Sequence, residues 1–197
     1  MIFLVRHGES VFNVMGILHS STIDEGPLSD KGREEAAAAA RFLKRIGFNG
    51  RVYSSPLMRA RETASFFADD FIVDDRLREV GMGAWEKKRI ADIPEFHLYS
   101  RDPVRNPPPG GESITSVLDR MTSILNEVED GSVLVSHWLP IAVAIAAALD
   151  MPLNNTYRIR IGNASISALS RENGRWIVEF INIRPREMGL VAEGRIQ

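Results

Sequence analysis

The sequence contains no cysteine. That absence excludes disulfides, thiolate metal sites and cysteine nucleophiles together, and it fits an intracellular chain. Histidine is scarce as well, with four in 197 residues, which leaves little material for a histidine-rich metal centre. Positive charge is not in excess: 24 Lys and Arg stand against 26 Asp and Glu, a formal net charge of −2. Proteins that grip nucleic acid carry a basic excess or stripe, and neither is present. Long apolar runs are missing too. The most apolar stretch, Ile141 to Leu149, falls well short of the roughly 20 residues that span a bilayer. The opening residues, Met1 to His7, have neither the basic lead-in nor the apolar length of a secretory signal. No Gly-x-x-x-x-Gly-Lys-Ser/Thr loop, Gly-x-Gly-x-x-Gly fingerprint or His-Glu-x-x-His pattern occurs. These absences give the expectation of a cytoplasmic chain without a nucleic-acid or membrane partner.

What remains is an ordinary globular composition, 44% hydrophobic and 25% charged. The length suits one domain over 1–197. The run Ile2-Phe3-Leu4-Val5 reads as a buried strand. A loop with Gly8, Gly16, Gly26 and Pro27 follows. Ser29 caps a helix from about Asp30 to Ile46, closed by Gly47. Arg51 to Ser54 is a second strand, and Ser55-Pro56 opens a helix to about Ala68. Ile72-Val73 reads as a short strand. Arg76 to Pro109 is mostly loop, with a short helix near Ile90 to Tyr99. Apolar residues from Ile114 to Val128 recur at helical spacing. Val133 to Val135 is a buried strand, Leu139 to Leu149 an apolar helix, and Ile159–Ile161, Ala164–Leu169 and Trp176–Ile183 are further strands. Strands alternating with helices argue for an α/β fold with a mostly parallel sheet covered on both faces. In such sheets, sites form at the carboxyl ends of strands.

Three strand ends carry unusual residues: Arg6-His7-Gly8-Glu9-Ser10, Ser54-Ser55-Pro56-Leu57-Met58-Arg59 and Ser136-His137-Trp138. If the strands are neighbours, two histidines and two arginines meet in one pocket. That grouping suits phosphoryl transfer. A phosphate monoester is a dianion whose transferring oxygens need fixed positive donors, and the arginine fork matches them. A neutral imidazole attacks phosphorus through one nitrogen while a hydrogen bond at the other fixes its tautomer. Nearby arginines should keep His7 neutral. A second imidazole, protonated, would stabilise the phosphoryl charge, and a carboxylic acid is the usual proton donor to the leaving alkoxide.

Leu4-Val5-Arg6-His7-Gly8-Glu9-Ser10 resembles the signature of the histidine phosphatase superfamily, which includes the cofactor-dependent phosphoglycerate mutases. Leu28-Ser29-Asp30-Lys31-Gly32, Ser54 to Thr63, Leu77-Arg78-Glu79 with Gly83-Ala84-Trp85-Glu86, Gly110-Gly111-Glu112-Ser113 and Val135-Ser136-His137 follow in the family's order. The resemblance covers roughly positions 2 to 150. It implies a three-layer α/β/α sandwich, a phosphohistidine on His7, phosphoryl binding by Arg6, Arg59 and His137, and Glu79 as proton donor and later as the base that activates water. Asn13 falls where the family often places a further phosphate ligand. No metal or organic cofactor is implied.

The implied reaction is metal-independent hydrolysis of a small phosphate monoester. A mutase, a phosphoprotein phosphatase and a non-catalytic phospho-ligand module are the alternatives, and the oligomeric state stays open. Glu9 and Glu86 rival Glu79 as the acid, and Asn13 also suits a helix cap. His19 and His97 lie outside the motifs and are read as structural, with the pocket entrance as an alternative place for His19. Trp138 stands where many members have glycine, Lys87 where a glycine often follows, and His19 to Asp24 lacks the usual aromatic and glycine pattern. Lys87, Lys88, Arg89, Arg101 and Arg105 are the cations available for a second phosphate. The tail after Ile183 is a candidate cover for the site.

Overall fold

The computed structural model describes residues 1–20 and 25–189. Two features singled out above fall partly outside them: positions 21–24 of the divergent loop, and positions 190–197 of the tail. Along the chain run β1 (Ile2–Arg6), α1 (Val11–Met15), α2 (Asp30–Arg45), β2 (Val52–Ser54), α3 (Met58–Ala64), β3 (Ile72–Val73), α4 (Phe96–Arg101), α5 (Ile114–Glu127), β4 (Val133–Ser136), α6 (Trp138–Ala148), β5 (Ile166–Glu172) and β6 (Arg175–Ile183). The strands form one sheet in the order β3-β2-β4-β1-β5-β6. β3, β2, β4 and β1 pair in parallel, and β5 and β6 continue the sheet antiparallel. Asn173 and Gly174, both at positive φ, make the tight turn between β5 and β6.

Side chains alternate across the central strands, so each strand feeds two cores. Ile2, Leu4 and Leu134 pack with Val117, Met121 and Ile124 of α5 and with Leu139, Ile141 and Ile145 of α6. Phe3, Val5, Val133 and Val135 pack with Ala39 and Leu43 of α2 and with Ala60 and Ala64 of α3. The result is a three-layer α/β/α sandwich. Each buried Leu or Ile contributes about 1.5–3 kcal/mol by leaving water, and both faces of β1 and β4 are sealed.

The structure corrects several boundaries. A short helix, α1, lies inside the segment expected to be loop, capped reciprocally by Ser10 and Asn13. α3 begins at Met58 and not at Pro56: Ser55 Oγ accepts from the Leu57 N–H at 3.3 Å and also meets His137, but the helix itself starts from Leu57, which makes no side-chain cap. The short helix expected near Ile90–Tyr99 is a 3₁₀ turn at Ile90–Asp92 followed by α4. Ile159–Ile161 is not a strand: a 3₁₀ turn covers Leu153–Arg158 and the chain then runs irregularly to β5.

The loop after β1 is seated on the first turn of α2. Ser29 Oγ and Lys31 Nζ donate to the Glu9 carboxylate at 2.9 and 2.8 Å, and the Ser29 N–H donates to the Glu9 carbonyl at 2.8 Å. The contact is close enough that a Cβ at Gly32 would lie 2.0 Å from the Glu9 carbonyl oxygen, backbone against backbone. Gly32→Ala is therefore expected to lower stability by about 1–3 kcal/mol, the usual cost of overpacking. Because Glu9 is two residues from His7, the same change should reduce activity in protein that is still folded. Denaturant unfolding and turnover of the folded fraction check both parts.

Candidate active site

β4 lies between β1 and β2, and the ladder continues beyond the strands: the His7 N–H donates to the Ser136 carbonyl at 3.0 Å and the Ser55 N–H to the Val135 carbonyl at 2.9 Å. The three strand ends are thereby locked side by side. They bring His7, His137 and Ser55 to the carboxyl edge of the sheet, and α3 returns Arg59 across them.

Arg59, only 4% exposed, is the hub. Its Nε donates to His7 Nε2 at 3.1 Å, Nη2 donates to His137 Nδ1 at 3.1 Å and to the His19 carbonyl at 2.9 Å, and Nη1 meets His19 Nδ1 at 3.1 Å. A guanidinium has no acceptor, so each imidazole nitrogen facing it carries a lone pair. This settles the tautomers. His7 holds its proton on Nδ1 and donates to the Gly8 carbonyl at 2.7 Å, and His137 holds its proton on Nε2 and donates to Ser55 Oγ at 2.8 Å. The two imidazole rings stand 5.0 Å apart. Thr63 ties the group together, accepting from the Gly8 N–H at 3.0 Å and donating to the Arg59 carbonyl at 2.7 Å.

The electrostatics follow. Burial, then the charges of Arg59 and Arg6, hold His7 well below the ordinary imidazole value. Burial, then Arg59, does the same to His137. His137 is therefore neutral in this arrangement, and the protonated form expected from sequence is not the resting one. Burial lowers Arg59 to about 10, which still leaves it charged at neutral pH. Arg6 anchors to the Ile161 carbonyl through Nη1 at 2.7 Å, while its buried Nε has no hydrogen-bond partner among the described residues.

Glu79 reaches the same cavity from the segment between β3 and α4. That segment is braced from three sides: Ser136 Oγ donates to the Leu77 carbonyl at 2.8 Å, the Gly81 N–H donates to Glu112, and Arg120 forks onto Glu112 while reaching the Arg76 carbonyl. The Gly110-Gly111-Glu112 motif thus acts mechanically, as a brace for the neighbourhood of Glu79. Burial raises the Glu79 carboxyl above the ordinary glutamate value, against the pull of the Val80 N–H, Arg59 and Arg6. The rivals are engaged elsewhere. Glu9 is paired with Ser29 and Lys31, and Glu86 accepts from the Ser20 N–H and hydroxyl at 2.7 and 2.6 Å.

A cavity of about 350 Å³ opens above this group, lined by Arg6, His7, Arg59 and Glu79 on its polar side. His137 lies beneath it, fully buried. Asn13 lines the cavity and also serves as a cap: its Oδ1 accepts from the Ser10 N–H and from Asn163. His19 is part of the site and not a bystander, since it borders the cavity, stacks on Phe12 and holds Arg59. His97 is exposed and lies outside it. None of Lys87, Lys88, Arg89, Arg101 and Arg105 lines the cavity; Arg160 does, together with Phe12, Phe96, Trp138 and Tyr157. Sequence reasoning passed over Arg160 and Tyr157 because their segment reads as a strand. Among the described residues, no group of three or more His, Asp or Glu is arranged to hold a metal ion.

The sequence pattern of the histidine phosphatase superfamily (branch 1) matches residues 2–184, and the chain belongs to that superfamily. It is thereby an enzyme that acts on phosphate monoesters. It is 39% identical to a 2,3-bisphosphoglycerate-dependent phosphoglycerate mutase of Thermoplasma acidophilum, over 87% of this chain and 88% of that protein. It is 32% identical to a probable phosphoglycerate mutase of Escherichia coli, over 89% and 87%. Among solved structures, a mycobacterial glucosyl-3-phosphoglycerate phosphatase in complex with VO3 superposes with a TM-score of 0.79 at 31% identity, covering 92% of this chain and 98% of that one.

Proposed function

We propose that the chain hydrolyses small phosphate monoesters without a metal ion, through a phosphohistidine on His7. The observation that carries this reading is the fixed tautomer of His7. Its Nδ1–H is held by the Gly8 carbonyl, and its Nε2 lone pair faces the cavity group 3.1 Å from Arg59 Nε. In the first step Nε2 attacks phosphorus and the P–O bond to the leaving group breaks. Arg59 exchanges its imidazole contacts for the phosphoryl oxygens, Arg6 supplies the second fixed positive charge, and His137, taking a proton from solvent at Nδ1 as the dianion arrives, donates a hydrogen bond from it to a phosphoryl oxygen. Glu79, whose burial favours the protonated form, gives its proton to the departing alkoxide. In the second step Glu79 takes a proton from water, the water oxygen attacks phosphorus, and the P–N bond breaks to restore neutral His7. Asn13, its Oδ1 occupied, offers its amide N–H groups to the phosphoryl oxygens.

Small substrates suit the site better than a phosphoprotein, since the whole cavity, polar end included, holds only about 350 Å³ and is lined by Phe12, Phe96, Trp138 and Tyr157 beside the polar group. Among the described residues no helix is long and apolar enough to cross a membrane, and a cytoplasmic location is part of the same proposal. The mutase names of two relatives keep phosphoryl transfer between positions of one molecule as the second reading. Turnover of p-nitrophenyl phosphate and a panel of metabolite phosphates in EDTA separates the two. Release of inorganic phosphate supports the phosphatase. Interconversion of 3- and 2-phosphoglycerate, seen only after priming with 2,3-bisphosphoglycerate and without phosphate release, would replace it by the mutase.

A further inference from the structure

Aromatic rings make up much of the cavity lining beside the polar group of Arg6, His7, Arg59 and Glu79. Trp138 and Tyr157 are in contact with centroids 4.4 Å apart and planes inclined at 58°, and Tyr157 meets Phe96 at 6.4 Å, edge to face. Tyr99 and Trp85 back these rings from the core, Tyr99 at 5.4 Å from Tyr157 and 5.9 Å from Phe96. The wall is thus rigid, because each ring on the cavity side is held by another behind or beside it. Phe12, stacked on His19 at 4.4 Å, closes the other side. At the rim of the same cavity stands Arg160, exposed and, among the described residues, without a hydrogen bond or ion pair. It is one residue from Ile161, whose carbonyl holds Arg6. The segment that carries the rim arginine therefore also anchors Arg6, which comes from β1, through a backbone carbonyl.

Resting on the phosphatase reading of the site, we propose that the leaving-group side of the cavity selects phosphate monoesters whose alcohol or phenol is an apolar or aromatic body bearing a carboxylate, with Arg160 as the residue that reads the carboxylate. The ring wall removes the body of the substrate from water and offers stacking. A single guanidinium fork matches a carboxylate in two parallel hydrogen bonds. A second phosphate, by contrast, would call for several converging cations, and Arg160 is the one cation at this rim apart from Arg6 and Arg59 among the described residues that line the cavity.

The test compares 4-(2-carboxyethyl)phenyl phosphate with its primary amide. Two methylenes insulate the ring, so the pair differs in charge while the leaving phenol keeps nearly the same basicity. For the wild type, kcat/KM for the acid is expected to exceed that for the amide by about twofold to fivefold, the upper part of the range for an ion pair exposed to water. Arg160→Met keeps the apolar stem and removes the charge, and it should bring the ratio to about one with the amide rate unchanged. Arg160→Glu should invert the preference, favouring the 2-aminoethyl analogue. Equal rates for acid and amide in the wild type, or a ratio that survives Arg160→Met, would overturn the proposal. If neither ester is turned over, the phosphatase reading fails, and calorimetric binding of the same pair to wild type and Arg160→Met still reads the Arg160 contact: tighter binding of the acid to the wild type alone upholds it, and equal binding refutes it.

Discussion

Alanine at position 7 is expected to abolish phosphoryl transfer, with kcat for any phosphate monoester falling by at least about 10⁴-fold, as when a nucleophile is removed from a unit that acts together. The loss follows from geometry and charge. His7 Nε2 is the lone pair that Arg59 Nε presses against in the buried group, and the only other imidazole nitrogen facing Arg59 from a strand end, His137 Nδ1, belongs to a ring fully buried below the cavity. The variant should still fold, because the loop remains fastened by the Gly8–Thr63 and Glu9–Ser29 bonds. Circular dichroism and a melting curve establish that point before rates are compared. A direct readout goes with the kinetics. Wild-type protein quenched during turnover of a ³²P-labelled monoester should carry a label that survives alkali and is lost in acid, the behaviour of a phosphoramidate, and His7→Ala should carry none. A label retained in the variant would move the nucleophile to another residue and dismantle the proposed mechanism.

Much of this arrangement is legible in the sequence because the chemistry sits at strand ends. Ile2 to Val5 and Val133 to Val135 are short continuous apolar runs, and each is followed two residues on by a histidine that no buried strand needs. That β4 inserts between β1 and β2, which is what makes the histidines neighbours, is a long-range pairing that no local pattern encodes. Arg59 shows the same limit. As a residue on a short helix it resembles any surface arginine, and only the fold puts it at 4% exposure between three imidazoles.

The misread segments fail for identifiable reasons. Tyr157-Arg158-Ile159-Arg160-Ile161 alternates apolar and charged residues with a period of two, the usual mark of a half-buried strand. The alternation is real in burial, with Arg158 and Arg160 exposed and Ile161 buried, but among the described residues no strand pairs with it. Its backbone serves Arg6 instead. α1 is only five residues long, too short for helical periodicity to show, although the spacing of Ser10 and Asn13 is that of a reciprocal cap. Ser55 before Pro56 has the local pattern of a helix cap, and its Oγ does accept from the Leu57 N–H at 3.3 Å while also meeting His137 at 2.8 Å; the helical backbone nonetheless starts only at Met58.

Replacement of Glu79 by glutamine is expected to have an effect that depends on the leaving group. The carboxyl is the proposed donor to the departing oxygen, so alkyl phosphates, whose alkoxides are strongly basic, should lose about 10²–10⁴-fold in kcat, the usual span of general acid catalysis. p-Nitrophenyl phosphate needs little protonation to depart and should lose much less in the first step. The pH profile gives the sign. Burial raises the Glu79 value above that of an ordinary glutamate, so the acid form persists to higher pH, and the first step slows as pH rises through that raised value. His7 is displaced the other way, held well below the ordinary imidazole value chiefly by burial, so the neutral nucleophile persists to lower pH and the rate falls only when His7 gains a proton. With an alkyl phosphate the wild type should therefore show a bell, its acid limb set by His7 and its alkaline limb by Glu79. Glu79→Gln should keep the acid limb and flatten the alkaline one. Loss of the acid limb with retention of the alkaline one would assign the two groups in reverse. Equal losses for alkyl and nitrophenyl esters, with the bell intact, would remove Glu79 from proton transfer and leave it a purely electrostatic neighbour of Arg6 and Arg59.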